Sequence, residues 1–360
     1  MIKVETSRLI SNMRFPLIVM VVVMHCMGNT YYMSSFPDVI LLDSAHHWNF
    51  YFFTKRLIYN LSTIAVPVFF IISGYLFFAG TFGKEEYVGK LKRRIGTLLI
   101  PYVIWNLVMY LPVLLRGNSH PSLMEIFWSS GNPWYHGINY LGGEFIPAAS
   151  PLNYPLWYVR DLMVLCLMSP LIYWAIKRLK IVAILIPAVL YVSYIWPHIE
   201  FNCEALLFFM VGAYLSVEQR TIIVSKKAYG MMGIATAVLG LSLALYNTLN
   251  TQKGFLIRPY YTLVGSIFFI NIMQRFKGVV KPKLTEAVFA IYVLHAVIVK
   301  IVDTALSVLG YDTFKFDHAG LAIVFDCFFY PVLIILICIF IYYIIKIILP
   351  SVSKILFGNR

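Results

Sequence analysis

Residues 14–25 have the sequence RFPLIVMVVVMH, an apolar stretch with an ionisable residue at each end. On an α-helix, eleven steps of about 100° return to nearly the same direction, so Arg14 and His25 share one face about 16 Å apart. A charge at membrane depth costs about 2.5–3.5 kcal/mol on insertion scales, and it normally faces a polar cavity that serves a function. The stretch therefore predicts a membrane enzyme or transporter whose buried site is reachable from the cytoplasmic side.

The composition of the whole chain agrees with a membrane protein. Of the 360 residues, 60% are hydrophobic and 12% are charged, and the mean hydropathy is +0.79. A soluble domain of this length needs more polar surface than that. The formal net charge is +13, but the basic residues form short clusters between apolar runs, which favours a membrane topology signal over nucleic-acid binding. The five cysteines lie singly, without Cys-x-x-Cys spacing, so no metal site is indicated.

Apolar runs along the chain predict the transmembrane helices, each of which needs about 20 residues to cross about 30 Å of hydrocarbon. We predict an all-α integral membrane protein, a bundle of about ten transmembrane helices. It forms a single domain over residues 1–360, without a separate soluble domain. The predicted spans are 12–30, 55–79, 95–115, 156–175, 181–197, 203–218, 229–248, 259–275, 285–302 and 319–349.

The connections between the spans predict the orientation. Lysine and arginine gather in alternate connections, and the opposite connections hold few of them, Lys55 and Arg56 among these. Basic connections face the cytoplasm, so the pattern predicts that both termini are cytoplasmic.

Two residues of the first span are candidates for chemistry. His25 is the natural general base for a hydroxyl acceptor, because histidine takes a proton near neutral pH; the alternative is a structural histidine bonded to a neighbouring helix. Arg14 lies near the cytoplasmic boundary, where its guanidinium suits a phosphate or pyrophosphate. The alternative for Arg14 is snorkelling to lipid headgroups.

A basic cluster follows the second span, with the sequence Lys90-Leu91-Lys92-Arg93-Arg94. As a functional site it would clamp the phosphates of a nucleotide-containing cofactor at the cytoplasmic mouth. The alternative is an ordinary basic cytoplasmic loop, as the positive-inside rule requires. The spacing alone does not favour either interpretation.

Other polar residues lie deeper in the apolar runs. Arg160 and Asp161 are adjacent, so they either serve the site or form a purely structural ion pair. Glu204 and His295 are interpreted as functional because of their depth, whereas Asp326 is interpreted as structural.

Two further stretches have alternative interpretations. Ser73-Gly74 lies within an apolar run, where tight helix packing explains it better than nucleophilic catalysis. The long exterior connection over about 116–155 is rich in aromatic residues, which either contact a sugar ring or form an aromatic belt at the headgroups. Its candidate residues are Trp134, Tyr135 and Tyr140.

Taken in order, these residues resemble the acyltransferase family 3 membrane proteins, which include bacterial O-acetyltransferases of surface polysaccharides. The shared motifs span nearly the whole chain in the family's order. They are Arg14-x10-His25, VFFIISGYL at 68–76, the basic run before Ile100-Pro101-Tyr102, LWYVRDL at 156–162 and FAIYVLH at 289–295.

The resemblance implies a ten-helix enzyme of the bacterial inner membrane. It would take an acyl group, usually acetyl, from cytosolic acetyl-coenzyme A and deliver it to an acceptor on the far side. His25 would be the catalytic general base, with a covalent acyl-histidine as the second route. Arg14 would support the donor. The family's Arg-x-x-Arg donor motif maps onto Lys90 and Arg93, where lysine replaces the first arginine and loses its bidentate geometry.

The remaining expectations concern the donor, the acceptor and the rival class of protein. Arg94 would complete the donor site. The expected acceptor is a glycan, a glycolipid or another hydroxyl compound, and membrane lipids would surround the protein. The alternative is a multi-span transporter or flippase for a lipid-linked or anionic substrate, although no internal repeat is visible. The residues predicted to bind the acceptor or shape the site are Trp157, Arg160, Asp161, Glu204, Tyr292 and His295.

Overall fold

A computed structural model describes most of the chain. The described residues are 4–27, 45–116, 121–129, 136–138, 145–147, 150–195, 201–248, 254–276, 278–308 and 319–358. Nearly all of these residues are helical, which confirms the predicted all-α class. The exceptions in extended conformation are two short strands, His136–Ile138 (β1) and Phe145–Pro147 (β2), which pair antiparallel.

The described part of the chain contains sixteen α-helices. The first half contains α1 (Val4–Met27), α2 (Ala45–Thr63), α3 (Ala65–Phe77), α4 (Lys84–Arg94), α5 (Ile100–Arg116), α6 (Leu123–Phe127), α7 (Trp157–Leu167) and α8 (Ser169–Leu179). The second half contains α9 (Val182–Ser193), α10 (Cys203–Val217), α11 (Lys226–Thr248), α12 (Gly254–Arg275), α13 (Pro282–Val308), α14 (Ala319–Val324), α15 (Tyr330–Ile348) and α16 (Pro350–Leu356). Two π-helical turns, Ile95–Leu99 and Phe325–Phe329, join α4 to α5 and α14 to α15.

The described part of each predicted span falls on an apolar helical segment. Among the described residues, seven segments are long and apolar enough to cross a membrane: Glu5–Met27, Phe50–Phe77, Lys84–Leu115, Lys226–Tyr246, Leu256–Arg275, Pro282–Leu306 and Gly320–Ile348. The helices α7 and α8, bent by 63°, make an eighth if the pair is one span, and α9 and α10 are shorter apolar helices. These helices support an integral membrane protein, while the count of ten and the orientation stay predictions.

Several helices extend beyond their predicted spans; α1 begins at Val4 and α2 at Ala45, ahead of the predicted starts at residues 12 and 55. The third predicted span begins at residue 95, but the helix begins at Lys84, so the basic cluster is helical rather than a loop. Acidic residues in the first turn of α4 and basic residues in its last turn stabilise it through the helix dipole. The ninth predicted span ends at residue 302, but α13 continues to Val308, and Tyr330 donates a hydrogen bond to the carboxylate of Asp303 just beyond the predicted end.

The chain divides into two compact units. Unit 1 comprises Met1–Ile10, Pro67–Thr221 and Ile341–Arg360, and unit 2 comprises Ser11–Val66 and Ile222–Phe340. The prediction of a single domain over 1–360 therefore stays a prediction.

Within unit 1, α3 and α10 cross with their backbones in contact. A Cβ atom on Gly74 would lie 2.1 Å from the carbonyl oxygen of Phe209. A Cβ atom on Gly212 would lie 2.0 Å from the carbonyl oxygen of Ile71. Only glycine allows such an approach, so the predicted packing role of Gly74 is confirmed.

Candidate functional site

Two predicted residues meet inside unit 2. His25 lies in the last turn of α1 and His295 lies in the middle of α13, where it is fully buried. Nε2 of His295 is 2.8 Å from Nδ1 of His25, and the two rings stack with centroids 4.9 Å apart. On its other side, Nδ1 of His295 is 3.1 Å from the carbonyl oxygen of Ile291, one turn earlier on the same helix. The structure thus connects α1 to the backbone of α13 through two imidazole rings.

Tyr292 and Arg14 belong to the same unit as the histidine pair. The ring of Tyr292 lies 6.2 Å from that of His295, and the ring of Phe289 stacks on Tyr292 at 6.0 Å. Arg14 is half-buried on α1, eleven residues before His25. Tyr292 therefore lies beside the pair, and its role in shaping the site stays a prediction.

A buried charged cluster in unit 2 differs from the sequence interpretation. Nζ of Lys55 lies 2.9 Å from Oδ2 of Asp326 and 3.0 Å from the hydroxyl of Tyr51, which also donates a hydrogen bond to Asp326. Lys55 is 7% exposed and Asp326 is 9% exposed. The sequence pattern places Lys55 in an exterior connection, but the residue lies within α2, where the carboxylate of Asp326 compensates the burial of its charge.

This cluster packs beside the end of α1. Met27, Tyr51 and Cys327 belong to one buried apolar cluster, and Met27 follows His25 by two residues. Asp326 itself lies in the π-helical turn Phe325–Phe329, a type of turn that is often found at functional sites. The pairing had no local signal, because Lys55 and Asp326 are 271 residues apart in the sequence.

The predicted donor residues of unit 1 line one cavity. It has a volume of about 450 Å³ and is bounded by Leu76, Phe77, Ala79, Gly80, Lys90, Arg93, Arg94 and Thr97. Nζ of Lys90 lies 2.6 Å from the carbonyl oxygen of Phe77 and 3.5 Å from that of Ala79. Lys90 therefore caps the C-terminal end of α3, where the last helical carbonyls have no intrahelical donor.

The remaining candidates of unit 1 make internal polar contacts. Nη2 of Arg160 lies 2.8 Å from Oδ1 of Asp161, and Nη1 of Arg160 lies 2.6 Å from the carbonyl oxygen of Trp128. The backbone N–H of Asn202 donates to Oδ2 of Asp161 at 3.2 Å. Both ionic side chains are buried, and they contact the backbone of Trp128 and the start of α10. Their predicted role in shaping the site stays a prediction.

Glu204 and Trp157 also have identified neighbours in unit 1. The hydroxyl of Tyr191 donates to Oε2 of Glu204 at 3.2 Å, and the ring of Trp157 lies 6.1 Å from that of Phe70.

The loop candidates Trp134, Tyr135 and Tyr140 lie outside the described residues. All five cysteines are buried without a disulfide, and no group of three or more His, Cys, Asp or Glu in the described ranges is arranged to hold a metal ion.

Comparison with known proteins identifies the family. The model of acyltransferase family 3, whose description is "Acyltransferase domain", matches residues 9–349. The chain belongs to acyltransferase family 3. Membership makes it a membrane acyltransferase for groups other than aminoacyl groups, and therefore an enzyme.

One relative of this family 3 member is the succinoglycan biosynthesis protein ExoH of Rhizobium meliloti (strain 1021). It is 30% identical over 162 residues, which cover 44% of this chain and 42% of that protein. The match thus spans less than half of the relative's own length. No solved structure matches the chain.

Proposed function

We propose that this family 3 member transfers an acyl group, in the first instance acetyl, from cytosolic acyl-coenzyme A to a hydroxyl of a glycan or glycolipid. The acceptor would lie at or beyond the outer face of a bacterial inner membrane. The observation that carries the proposal is the contact between His25 and His295 within apolar helices, since ionisable groups at this depth rarely serve packing alone. A glycan acceptor is supported by the relative that is named for succinoglycan biosynthesis.

The chemistry assigned to His25 is general-base catalysis. Its imidazole removes the proton of the acceptor hydroxyl while the oxygen attacks the thioester carbonyl carbon. The new C–O bond forms, the C–S bond breaks, and the departing thiolate recovers the proton from the imidazolium. The products are the acyl ester and coenzyme A, and no net proton is gained or lost.

The donor contacts assigned to unit 1 are those of its basic cavity. Arg93 and Arg94 line that cavity, and guanidinium groups bind phosphate oxygens in bidentate geometry. Lys90 supplies positive charge to the wall while its ammonium caps α3. We assign the phosphates of coenzyme A to Arg93 and Arg94, and a separate supporting contact with the donor to Arg14 of unit 2.

The topology that we propose has ten spans and cytoplasmic termini in a single domain. It is supported by the alternation of basic connections along the sequence and by the coincidence of each predicted span with an apolar helical segment.

The proposal is tested with purified full-length protein in nanodiscs. Radiolabelled acetyl-coenzyme A and succinyl-coenzyme A are supplied separately, together with an acceptor fraction extracted from bacterial membranes. We expect transfer of label from one donor into a base-labile ester of the acceptor. If the protein neither binds nor consumes any acyl-coenzyme A, the proposal is wrong and transport without acyl transfer becomes the better explanation.

A further inference from the structure

We propose that His295 is a positioning residue that sets the tautomer of His25, so that Nε2 of His25 carries the lone pair that takes the proton. The inference rests on the proposed role of His25 as the base. It adds which ring nitrogen acts and which residue determines that choice.

The hydrogen bonds determine, in sequence, which ring nitrogen of His295 and which ring nitrogen of His25 carries a hydrogen. A backbone carbonyl can only accept a hydrogen bond, so Nδ1 of His295, 3.1 Å from the Ile291 oxygen, carries a hydrogen. A neutral imidazole carries one ring hydrogen, so Nε2 of His295 is an acceptor. At 2.8 Å from that acceptor, Nδ1 of His25 must be the donor. The remaining nitrogen of His25, Nε2, therefore holds the lone pair.

The neutral state of His295 follows from its surroundings. The residue is 0% exposed, and its chain neighbours Val293, Leu294 and Ala296 are buried as well. Burying an imidazolium without a counter-charge is costly, so the ring remains neutral at rest. In the described part of unit 2, the buried carboxylate of Asp326 is already paired with Lys55, and the half-buried carboxylate of Asp303 accepts a hydrogen bond from Tyr330.

An imidazole is well suited to this position. In hydrolase triads a carboxylate orients the catalytic histidine through its Nδ1–H. Within a membrane, a carboxylate would add a buried negative charge, whereas a neutral imidazole orients His25 without a net charge. The ring of His295 is itself held by the carbonyl of Ile291 on a rigid helix, so it cannot turn without losing that bond.

The same contact stabilises His25 once it is protonated. When Nε2 of His25 takes the hydroxyl proton, the hydrogen bond from its Nδ1 to His295 becomes charge-assisted and therefore stronger. The imidazolium returns the Nε2 proton to the departing thiolate, and the pair regains its resting tautomers. His295 thus acts only through His25 and needs no contact with either substrate.

Variants of His295 test the inference through turnover. His295→Leu removes the acceptor, and we expect kcat to fall by about 100-fold or more while KM for acyl-coenzyme A changes little. The His295→Gln variant places an amide oxygen near the position of Nε2, so it should recover kcat to within about 10-fold of the wild type. Thr304→Val, at an exposed position of the same helix, is the control and should leave kcat unchanged.

A spectroscopic measurement tests the tautomer without any need for activity. Nitrogen-15 NMR of histidine-labelled protein in nanodiscs, with His25→Asn to assign the signal, should show Nδ1–H and a lone pair on Nε2 for His25. In His295→Leu the signal should shift toward the opposite tautomer. A wild-type spectrum with Nε2–H, or an unchanged kcat in folded His295→Leu, would overturn the inference. If acyl transfer is absent but the tautomer is as stated, the proposed function fails while the structural assignment stands.

Discussion

The ammonium of Lys90 lies 2.6 Å from the carbonyl oxygen of Phe77, so the lysine that replaces the first arginine of the donor motif also ends a helix. A lysine donates to several carbonyls from a compact charge, whereas the planar arginine fork is suited to carboxylates and phosphates. The residues of the basic cluster therefore have different roles. Lys90 stabilises the end of α3, whereas Arg93 and Arg94 are available in the wall of the cavity.

Substitutions in this cluster should therefore have different effects. Arg93→Ala should weaken the binding of coenzyme A by about tenfold or more, since a charge-assisted hydrogen bond contributes about 1.5–3 kcal/mol. Lys90→Met should instead lower the melting temperature, because the end of α3 loses its cap. Isothermal titration and thermal unfolding separate the two effects, with Arg220→Ala, an exposed arginine outside the cavity, as the control. Equal loss of binding in Arg93→Ala and Arg220→Ala would contradict the assignment.

The buried ion pair of unit 2 should show strong coupling between its members. Lys55→Met leaves the carboxylate of Asp326 buried without its counter-charge, which should cost about 3–5 kcal/mol of stability. The double variant Lys55→Met with Asp326→Leu should recover most of that loss, as the charge is removed on both sides. Thermal unfolding in nanodiscs measures both changes.

The exposed pair of Lys180 and Glu218 serves as the control for that experiment. Its ion-pair distance is 3.0 Å, similar to that of the buried pair, but the Lys180 side chain is 54% exposed. Solvent screens such pairs, so Lys180→Met should change the melting temperature little. A similar loss in Lys180→Met and Lys55→Met would show that burial is not the cause.

The glycine contact between α3 and α10 makes a prediction about packing. Gly212→Ala places a methyl group against the backbone of Ile71, so the helices must separate, at a cost of about 1–3 kcal/mol. Gly230→Ala is the control, because nothing lies within 4 Å of its added Cβ. In a helix, alanine is favoured over glycine by about 0.5–1 kcal/mol, so this variant should be slightly more stable. Equal melting temperatures for the two variants would show that the contact is not tight in solution.

The sequence predicted the positions of the helices better than the contacts between them. Hydropathy alone placed every predicted span on an apolar helical segment, because about 20 apolar residues have few other stable arrangements. His295 could be singled out because an ionisable residue stands out within an apolar run. Its contact with His25, 270 residues earlier, could not be predicted from spacing.

Two polar residues show why the rest of the site could not be predicted from the sequence. Lys55 lies near a predicted boundary and appears in the sequence as an ordinary loop lysine, since nothing local indicates its pairing with Asp326. Lys90 lies within a run of basic residues, and the sequence does not show that a helix ends at Phe77 beside it. In both cases the role depends on a partner from another element.

The central claim is that His25 is the general base of acyl transfer. The most direct measurement is a single-turnover reaction of wild type and His25→Ala with labelled acyl-coenzyme A and acceptor, alongside coenzyme A binding by both proteins. We expect the wild type to form ester without a labelled enzyme intermediate. We expect His25→Ala to bind coenzyme A but to transfer about 10²–10⁴-fold more slowly. Transfer by His25→Ala at the wild-type rate would contradict the claim, and label trapped on His25 of the wild type would replace base catalysis by a covalent acyl-histidine.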